Sequence, residues 1–199
     1  VNIDFKTRTI NKNKKKLNLI RLGTSGALQQ DVEIDTFIAA SYGLGFDGLA
    51  HFYENEEKLE KEMGISYSNH ADWPQHLAHP YFIKASANLI NKFPSIKKGI
   101  TATAPGFYGP QGRTLRLAPS IKNMHEKMRS FNYQENRITN FEMETSALYY
   151  LGQTLGHNTL TICAIIANRL SKEYSKDYKK TFAKAFDVKF ATKEGKQEY

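Results

Sequence analysis

Between Asn158 and Asn168 the chain reads NTLTICAIIAN, a run that is apolar or β-branched at consecutive positions instead of alternate ones. A strand with one wet face alternates. One that does not is covered on both faces, and so belongs inside a sheet that has other layers on either side. Shorter runs of the same kind, LNLIRL (17–22), DTFIAASYGL (35–44) and GITATA (99–104), are bounded by Gly, Asn or Asp.

Helical spacings fall between them. In PQHLAHPYFIKASANLINKF, Pro80 breaks the chain, after which Phe82, Ala85, Leu89 and Phe93 recur at helical intervals. In METSALYYLGQTLGH, Ala147, Leu148, Leu151 and Leu155 share one helix face, and the pattern stops at Gly156. The order strand, strand, helix, strand, helix, strand, helix, with no internal repeat and no linker, predicts an α/β architecture around a mixed sheet in a single domain spanning residues 1–199.

Composition narrows the function classes. A chain of 199 residues that is 40% hydrophobic and 12% aromatic can bury one sizeable core. Its one cysteine, Cys163, sits within the apolar run and reads as a small buried hydrophobe, so no internal disulfide is possible and a reducing, cytoplasmic setting is expected. No window approaches the ~18 apolar residues of a membrane span, and no signal region follows the N-terminal charges. The net charge of +8 is concentrated in KNKKK (12–16), in SKEYSKDYKK (171–180) and near the C-terminus. These runs carry few aromatics and no nucleic-acid motif, and read as solvated faces; neither nucleic acid nor membrane is expected as a partner. His70, His76 and His79 lie in a polar loop and helix, and read as surface residues without metal-ligand spacing.

In open α/β sheets, ligands collect at loops leaving the strands, and three segments there carry chemistry. RLGTSGALQ ends a strand with Arg21 and runs into Gly23, Thr24, Ser25 and Gly26. A fixed cation, two hydroxyls and a glycine-permitted nest of N–H groups outline an anion site, although Gly-Thr-Ser-Gly is also an ordinary turn. NFEMETSA sets Glu142 and Glu144 one residue apart. In an extended chain both carboxylates point the same way and can accept pairs of sugar hydroxyls, while an acid at a helix start also serves simply as a cap. APGFYGPQGRTLRL is punctuated as a loop, yet it carries Phe107, Tyr108, Gln111 and Arg113. An aromatic face with a donor–acceptor amide and a guanidinium fork suits the face and edge of a planar heterocycle, so this loop looks built for a nucleobase.

In this order and at these separations, RLGTSGALQ, GFYGPQGR and NFEMETSAL resemble the nucleoside phosphorylase superfamily, and the Gln-x-Arg after Phe-Tyr is similar to its uridine phosphorylase branch. The resemblance covers about Leu17 to Arg169 and implies a three-layer α/β/α fold around a mixed central sheet. It further implies phosphorolysis of uridine to uracil and ribose 1-phosphate in pyrimidine nucleoside salvage, with inorganic phosphate as co-substrate and no cofactor or metal. By position, Arg21, Gly23 and Thr24 fall in the phosphate site. Phe107, Gln111, Arg113, Ile166, Ala167 and Arg169 fall around the base, and Glu142, Met143 and Glu144 around the ribose. Arg113 and Arg21 are the expected catalytic pair, Arg113 taking the larger share of leaving-group stabilisation. Purine-specific relatives place a proton-donating aspartate about where this chain has Asn168, and an amide is a poor acid, so purine phosphorolysis by that route is disfavoured. The family's shared sites imply a homo-oligomer, a dimer or a trimer of dimers.

The sequence departs from the family pattern at its ends. Family members carry, before the arginine strand, the first strands of the sheet, a glycine-rich phosphate loop, further arginines and a histidine for a neighbouring subunit; none is recognised before Leu17, where VNIDFKTRTINKNKKK reads as a charged approach to that strand. DVKFATKEGKQEY, after Phe186, lacks the apolar repeat of a long closing helix. The expectation is an incomplete phosphorylase domain with an unprotected sheet edge, whose base and ribose subsites are kept and whose phosphate site is partial, and hence weak or no turnover. The alternatives are a purine phosphorylase or a nucleoside hydrolase of the same superfamily, the latter opposed by Arg21 beside Thr24, or a nucleoside-binding chain without turnover.

Overall fold

A computed structural model describes residues 2–187. Eight strands and five α-helices follow along the described residues, with three short 3-10 turns between them: β1 (Asn18–Ala27), β2 (Phe37–Gly45), α1 (Lys61–His70), β3 (Tyr81–Lys84), α2 (Ala87–Ile90), β4 (Lys97–Thr103), α3 (Met124–Ser130), β5 (Asn132–Tyr133), β6 (Asn136–Glu142), α4 (Thr145–Thr154), β7 (Asn158–Asn168), β8 (Glu173–Tyr174) and α5 (Tyr178–Asp187). The strands order as β3-β2-β4-β6-β1-β7-β8, and β2 also pairs with β7. That last pairing closes five strands into a ring. β2, β4 and β6 run parallel to one another, β1 and β7 run parallel to each other, and the two groups meet antiparallel at β6–β1 and at β7–β2. The mixed sheet of the sequence reading is present, and it closes on itself.

Helices cover the sheet on two sides, each over its own apolar cluster. On one side Met63 and Tyr67 of α1 and Met124 and Met128 of α3 pack with Leu44, Ile100 and Ile138. On the other, Tyr149 and Tyr150 of α4 and Leu89 of α2 pack with Ala39, Ala40, Leu160 and Ile162. This accounts for the consecutive apolar run of β7, whose positions 159–165 are all buried. A third small apolar cluster, Ala27, Val32, Ile38 and Ile165, joins β1, β2 and β7, and a buried polar network ties β1, β4 and β6: Asn140 donates to Ser25 Oγ at 2.8 Å and accepts from the hydroxyls of Thr101 and Thr139. Among the described residues no helix is long and apolar enough to cross a membrane.

Three expectations are corrected. The helix from Phe82 to Phe93 is instead strand β3 followed by the short α2. Tyr81, Phe82 and Ile83 pair antiparallel with Leu44, Gly43 and their neighbours at the edge of β2, and edge pairing of an aromatic and β-branched run outweighs helical spacing. Phe82, Ala85, Leu89 and Phe93 are all buried, but Phe82 lies in the first cluster and the other three in the second. Helix α4 stands where expected with a different face inward. Thr145, Ser146, Tyr149, Tyr150 and Gly152 are buried, while Leu155 is 67% exposed. Tyr149 explains the rotation, because its hydroxyl donates to Ala40 O and accepts from Thr161 N, so a tyrosine satisfies the interior better than the leucine stripe would. Third, Gly23 to Gly26 form no turn or nest: β1 runs through them to Ala27, with one register irregularity between Ser25 and Gly26.

The residues before β1 fold back on themselves. Ile3 bridges Ile10, and Asp4 Oδ1 accepts from the amides of Lys6 and Thr7. The expectation for DVKFATKEGKQEY lies, beyond Asp187, outside the described residues.

Candidate functional site

Strands β4 and β6 end together at Thr103 and Glu142, and this end gathers most of the expected residues. Glu142 is 5% exposed. Its carboxylate accepts from Thr103 Oγ1 at 2.8 Å and from the amides of Glu144 and Thr145 at 3.0 and 3.1 Å. Arg21, from the neighbouring β1, lies 3.1 Å from the same carboxylate and also pairs with Glu144. Burial pushes the Glu142 carboxyl above its ordinary value, against the opposing pull of Arg21, the Thr103 hydroxyl and the two amides. Both glutamates therefore face one cation, and the turn into the helix, not an extended chain, brings them there: β6 ends at Glu142 and Glu144 takes the N-cap position of α4.

Gly23 belongs to this cluster for a reason the sequence reading missed. A Cβ built on Gly23 would lie 2.2–2.7 Å from the Arg21 guanidinium. Two residues apart on a strand, Arg21 and Gly23 share a face, and the missing side chain is what lets the guanidinium lie back over β1. Cys163, opposite Gly23 on β7, receives a contact from Arg21 Nη1 at 3.8 Å. Its thiol is fully buried and pushed up to about 12, so it stays protonated and fills space. Thr24, half-buried, lies on the other pleat face of β1 and is not brought to Arg21 by its side chain.

A second cluster forms on the loop after β4. Pro110 starts a tight turn at Gly109–Gln111, and Gly112 (φ 68°) takes the left-handed conformation that closes it. Arg113 thereby folds back: its Nη1 donates to Phe107 O, and its guanidinium carbon lies 3.4 Å from the Phe107 ring centre and 5.8 Å from that of Phe141. Arg169, arriving from the end of β7, lies 5.7 Å from the same Phe141 ring. Burial, with the charge of Arg169 added, brings Arg113 down to about 10, still a cation at neutral pH. Its Nε is buried without a hydrogen-bond partner among the described residues. Gln111 is 4% exposed beside it, whereas Phe107 is 52% exposed.

Phe141 and Glu142 are consecutive, so the two clusters flank the end of β6, one on each face. Met143, 40% exposed, follows directly at that end. Ile166 and Ala167 of β7 are half-buried. Ala167 neighbours Gly26, which a Cβ would bring to 3.6 Å from Phe141. Phe141 and His125 are members of this cluster that the sequence reading did not name, and Gly26, expected in the anion site, belongs here instead. A cavity of about 700 Å³ lies under the same loop, lined by Phe46, Trp73, Tyr108, Arg113, Leu117 and Met124 among others, and it reaches neither glutamate nor Arg21.

Asn168 is fully committed. Its amide donates to Gln29 O and Val32 O, and its carbonyl accepts from the amides of Leu170 and Ser171. It ties the loop after β1 to the end of β7, and with all these bonds in place it offers nothing to a ligand. His70, His76 and His79 are exposed; His70 caps the carbonyl of Lys127 and bonds Ser130.

A closed mixed sheet flanked by helices, with arginines and carboxylates gathered where its strands end, defines the nucleoside phosphorylase fold. The structure of a Trypanosoma brucei nucleoside phosphorylase described as showing uridine phosphorylase activity superposes with a TM-score of 0.71 at 22% identity, covering 92% of this chain and 69% of that one. A uridine phosphorylase structure from the oomycete Phytophthora capsici gives 0.53 at 16% identity, over 93% and 65%. The family model described as the phosphorylase superfamily matches residues 10–194, and the chain belongs to that superfamily. Among curated relatives, the uridine phosphorylase of Thermococcus kodakarensis is 32% identical over 158 residues, 78% of this chain and 50% of that protein. That of Haemophilus influenzae is 23% identical over 154 residues, 77% and 55%. The chain thus spans about half the length of the curated relatives it matches.

Proposed function

We propose that this site takes uridine and inorganic phosphate and supports phosphorolysis to uracil and ribose 1-phosphate, the chemistry of cytoplasmic pyrimidine nucleoside salvage, in a homo-oligomer and with no cofactor beyond the phosphate co-substrate. The observation that carries the reading is the pairing across the end of β6. On one face a guanidinium lies over an aromatic ring beside a buried amide; on the other, a second guanidinium is bracketed by two carboxylates.

In this reading Arg21, lying over Gly23 of the same strand, binds phosphate, while Thr24, on the opposite face of β1, can reach it only through its backbone; Glu144 accepts the ribose hydroxyls, Met143 packs on the sugar and Glu142 holds Arg21. Gln111 and Arg113 hydrogen-bond the uracil edge, Phe107 covers its face, and Ile166, Ala167 and Arg169 close the pocket. Breaking the glycosidic bond leaves positive charge on the ribose and negative charge on the departing base. A phosphate beside the sugar and a guanidinium at the base stabilise both ends of that transition state. The ion pair between Arg21 and Glu144 is part of the mechanism: phosphate competes for the guanidinium, and each such exchange frees Glu144 for the sugar. The commitment of Asn168 to four backbone groups supports pyrimidine over purine nucleosides, since no acid stands there to protonate a purine ring.

The deciding experiment is base release from uridine, with inosine in parallel, with and without phosphate, on wild type and Arg113→Ala. Phosphate-dependent release from uridine alone, lost in the variant, is the expected result. Release without phosphate would replace the reading with a hydrolase. No release, with uracil still bound in an Arg113-dependent way, would make the chain a nucleoside-binding form of the fold.

A further inference from the structure

His125, on α3, is outside every role assigned above, yet it touches three parts of the base-side cluster. Its Nε2 lies 2.6 Å from Gln111 O. Its ring sits 5.6 Å from that of Phe141, the ring on which Arg113 and Arg169 both bear. The Cβ that Gly112 lacks would come within 3.3 Å of its Nε2. A carbonyl has no proton to give, so Nε2 carries the hydrogen and the imidazole donates.

We propose that His125 is a positioning residue for base recognition, holding the Gln111–Arg113 turn in register with Phe141 by donating from Nε2 to the Gln111 carbonyl. The proposal rests on the nucleobase reading of the loop. The turn itself is short of anchors. The amides of Gln111 and Arg113 both bond Tyr108 O, and that of Gly112 bonds Gly109 O, so these bonds close the loop on itself and fix nothing to the body of the fold. His125 supplies a bond from outside, borne on a helix whose Met124 and Met128 are packed in the core. Burial, with the charges of Arg169, Arg129 and Arg113 added, holds its imidazole below the ordinary histidine range against the opposing pull of the Gln111 carbonyl, and so favours the neutral ring. A neutral imidazole makes this bond without adding a third charge beside the two arginines that bear on Phe141.

The test uses His125→Ala, which removes the donor, and His125→Gln, whose amide nitrogen can occupy nearly the place of Nε2 and keeps it. Two readouts are taken: the dissociation constant for uracil, and hydrogen exchange of the Gln111, Gly112 and Arg113 amides in the ligand-free protein. Loss of one anchoring hydrogen bond is expected to weaken uracil by about fivefold to tenfold in His125→Ala and to speed exchange of those amides by a similar factor. His125→Gln should stay within about twofold of wild type on both counts. Unchanged binding and exchange in His125→Ala would overturn the proposal, as would a glutamine variant that folds but is as impaired as alanine. Should wild type fail to bind uracil, the nucleobase reading falls, and the exchange difference between the two variants still decides whether His125 holds the turn.

Discussion

The two ends of strands β4 and β6 carry the same kind of chemistry in opposite settings. Where the strands begin, Lys97 and Arg137 both reach Asp31, one acid between two bases, with side chains 39–52% exposed. Where they finish, Glu142 and Glu144 both reach Arg21, one base between two acids, and the Glu142 side chain is 2% exposed. A charge trio in water is worth little, because water serves each member almost as well as its partners do. The same trio with a member removed from water must be complete, since what remains after a deletion is a buried, unpaired charge. Exposure, more than the count of ion pairs, distinguishes the end that can be functional from the end that only decorates.

The largest effect follows directly. Glu142→Leu keeps bulk but leaves the Thr103 hydroxyl and the amides of Glu144 and Thr145 without their acceptor and Arg21 with Glu144 alone, and is expected to cost about 3–5 kcal/mol of unfolding free energy by urea titration. A cost below about 1 kcal/mol would mean that water reaches the cluster freely. Arg113 offers an intermediate case, a cation that forms no ion pair among the described residues and rests on a carbonyl and two rings. With no buried partner to abandon, Arg113→Ala should change stability by about 0.5 kcal/mol or less. Uracil binding, measured by calorimetry, should still weaken by about tenfold to a hundredfold, the worth of hydrogen bonds from a charged donor.

Gly23→Ala is a smaller effect than the binding loss in Arg113→Ala. The added methyl meets the tip of a flexible side chain, so Arg21 swings aside, at about 1 kcal/mol, the low end for overpacking. The sharper readout is selective: thermal protection by phosphate should fall while uracil affinity holds. Equal loss of both ligands would show that the clusters flanking β6 do not act separately.

Much of this was legible in the chain. The continuous apolar run at 158–168 is β7 to the residue, and of the two geometries open to Glu142 and Glu144 the helix start is the one found, with Glu144 at the N-cap of α4. Ring closure through β2 and β7 left no trace, because pairing between segments so far apart is decided by the whole sheet and not by either strand. The Gly-Thr-Ser-Gly stretch was misleading for a reason that recurs: glycine in a turn and glycine under a neighbour's side chain look identical in sequence, and only Arg21 lying over Gly23 tells them apart. Phe141 could have been noticed as the aromatic next to Glu142. His125 could not, since a lone histidine on a short half-buried helix carries no signal until the loop it holds is in place.

The exposed trio gives the smallest prediction and the cleanest sign. Hydrogen bonds from Arg137 and Lys97 hold the Asp31 carboxyl down at about 2, below its ordinary 3.8. A carboxylate depressed in the folded state stabilises above its unfolded value and loses that contribution as pH falls toward the folded one. Asp31→Asn should therefore be less stable than wild type at neutral pH, with the gap closing between 3.8 and about 2. Because all three side chains are in solvent, the gap at neutral pH should be under about 1 kcal/mol and should shrink in high salt. A salt-independent gap of the size expected for Glu142→Leu would erase the distinction between the two ends of β4 and β6, and would put the loop after β1 among the elements that hold the ring closed.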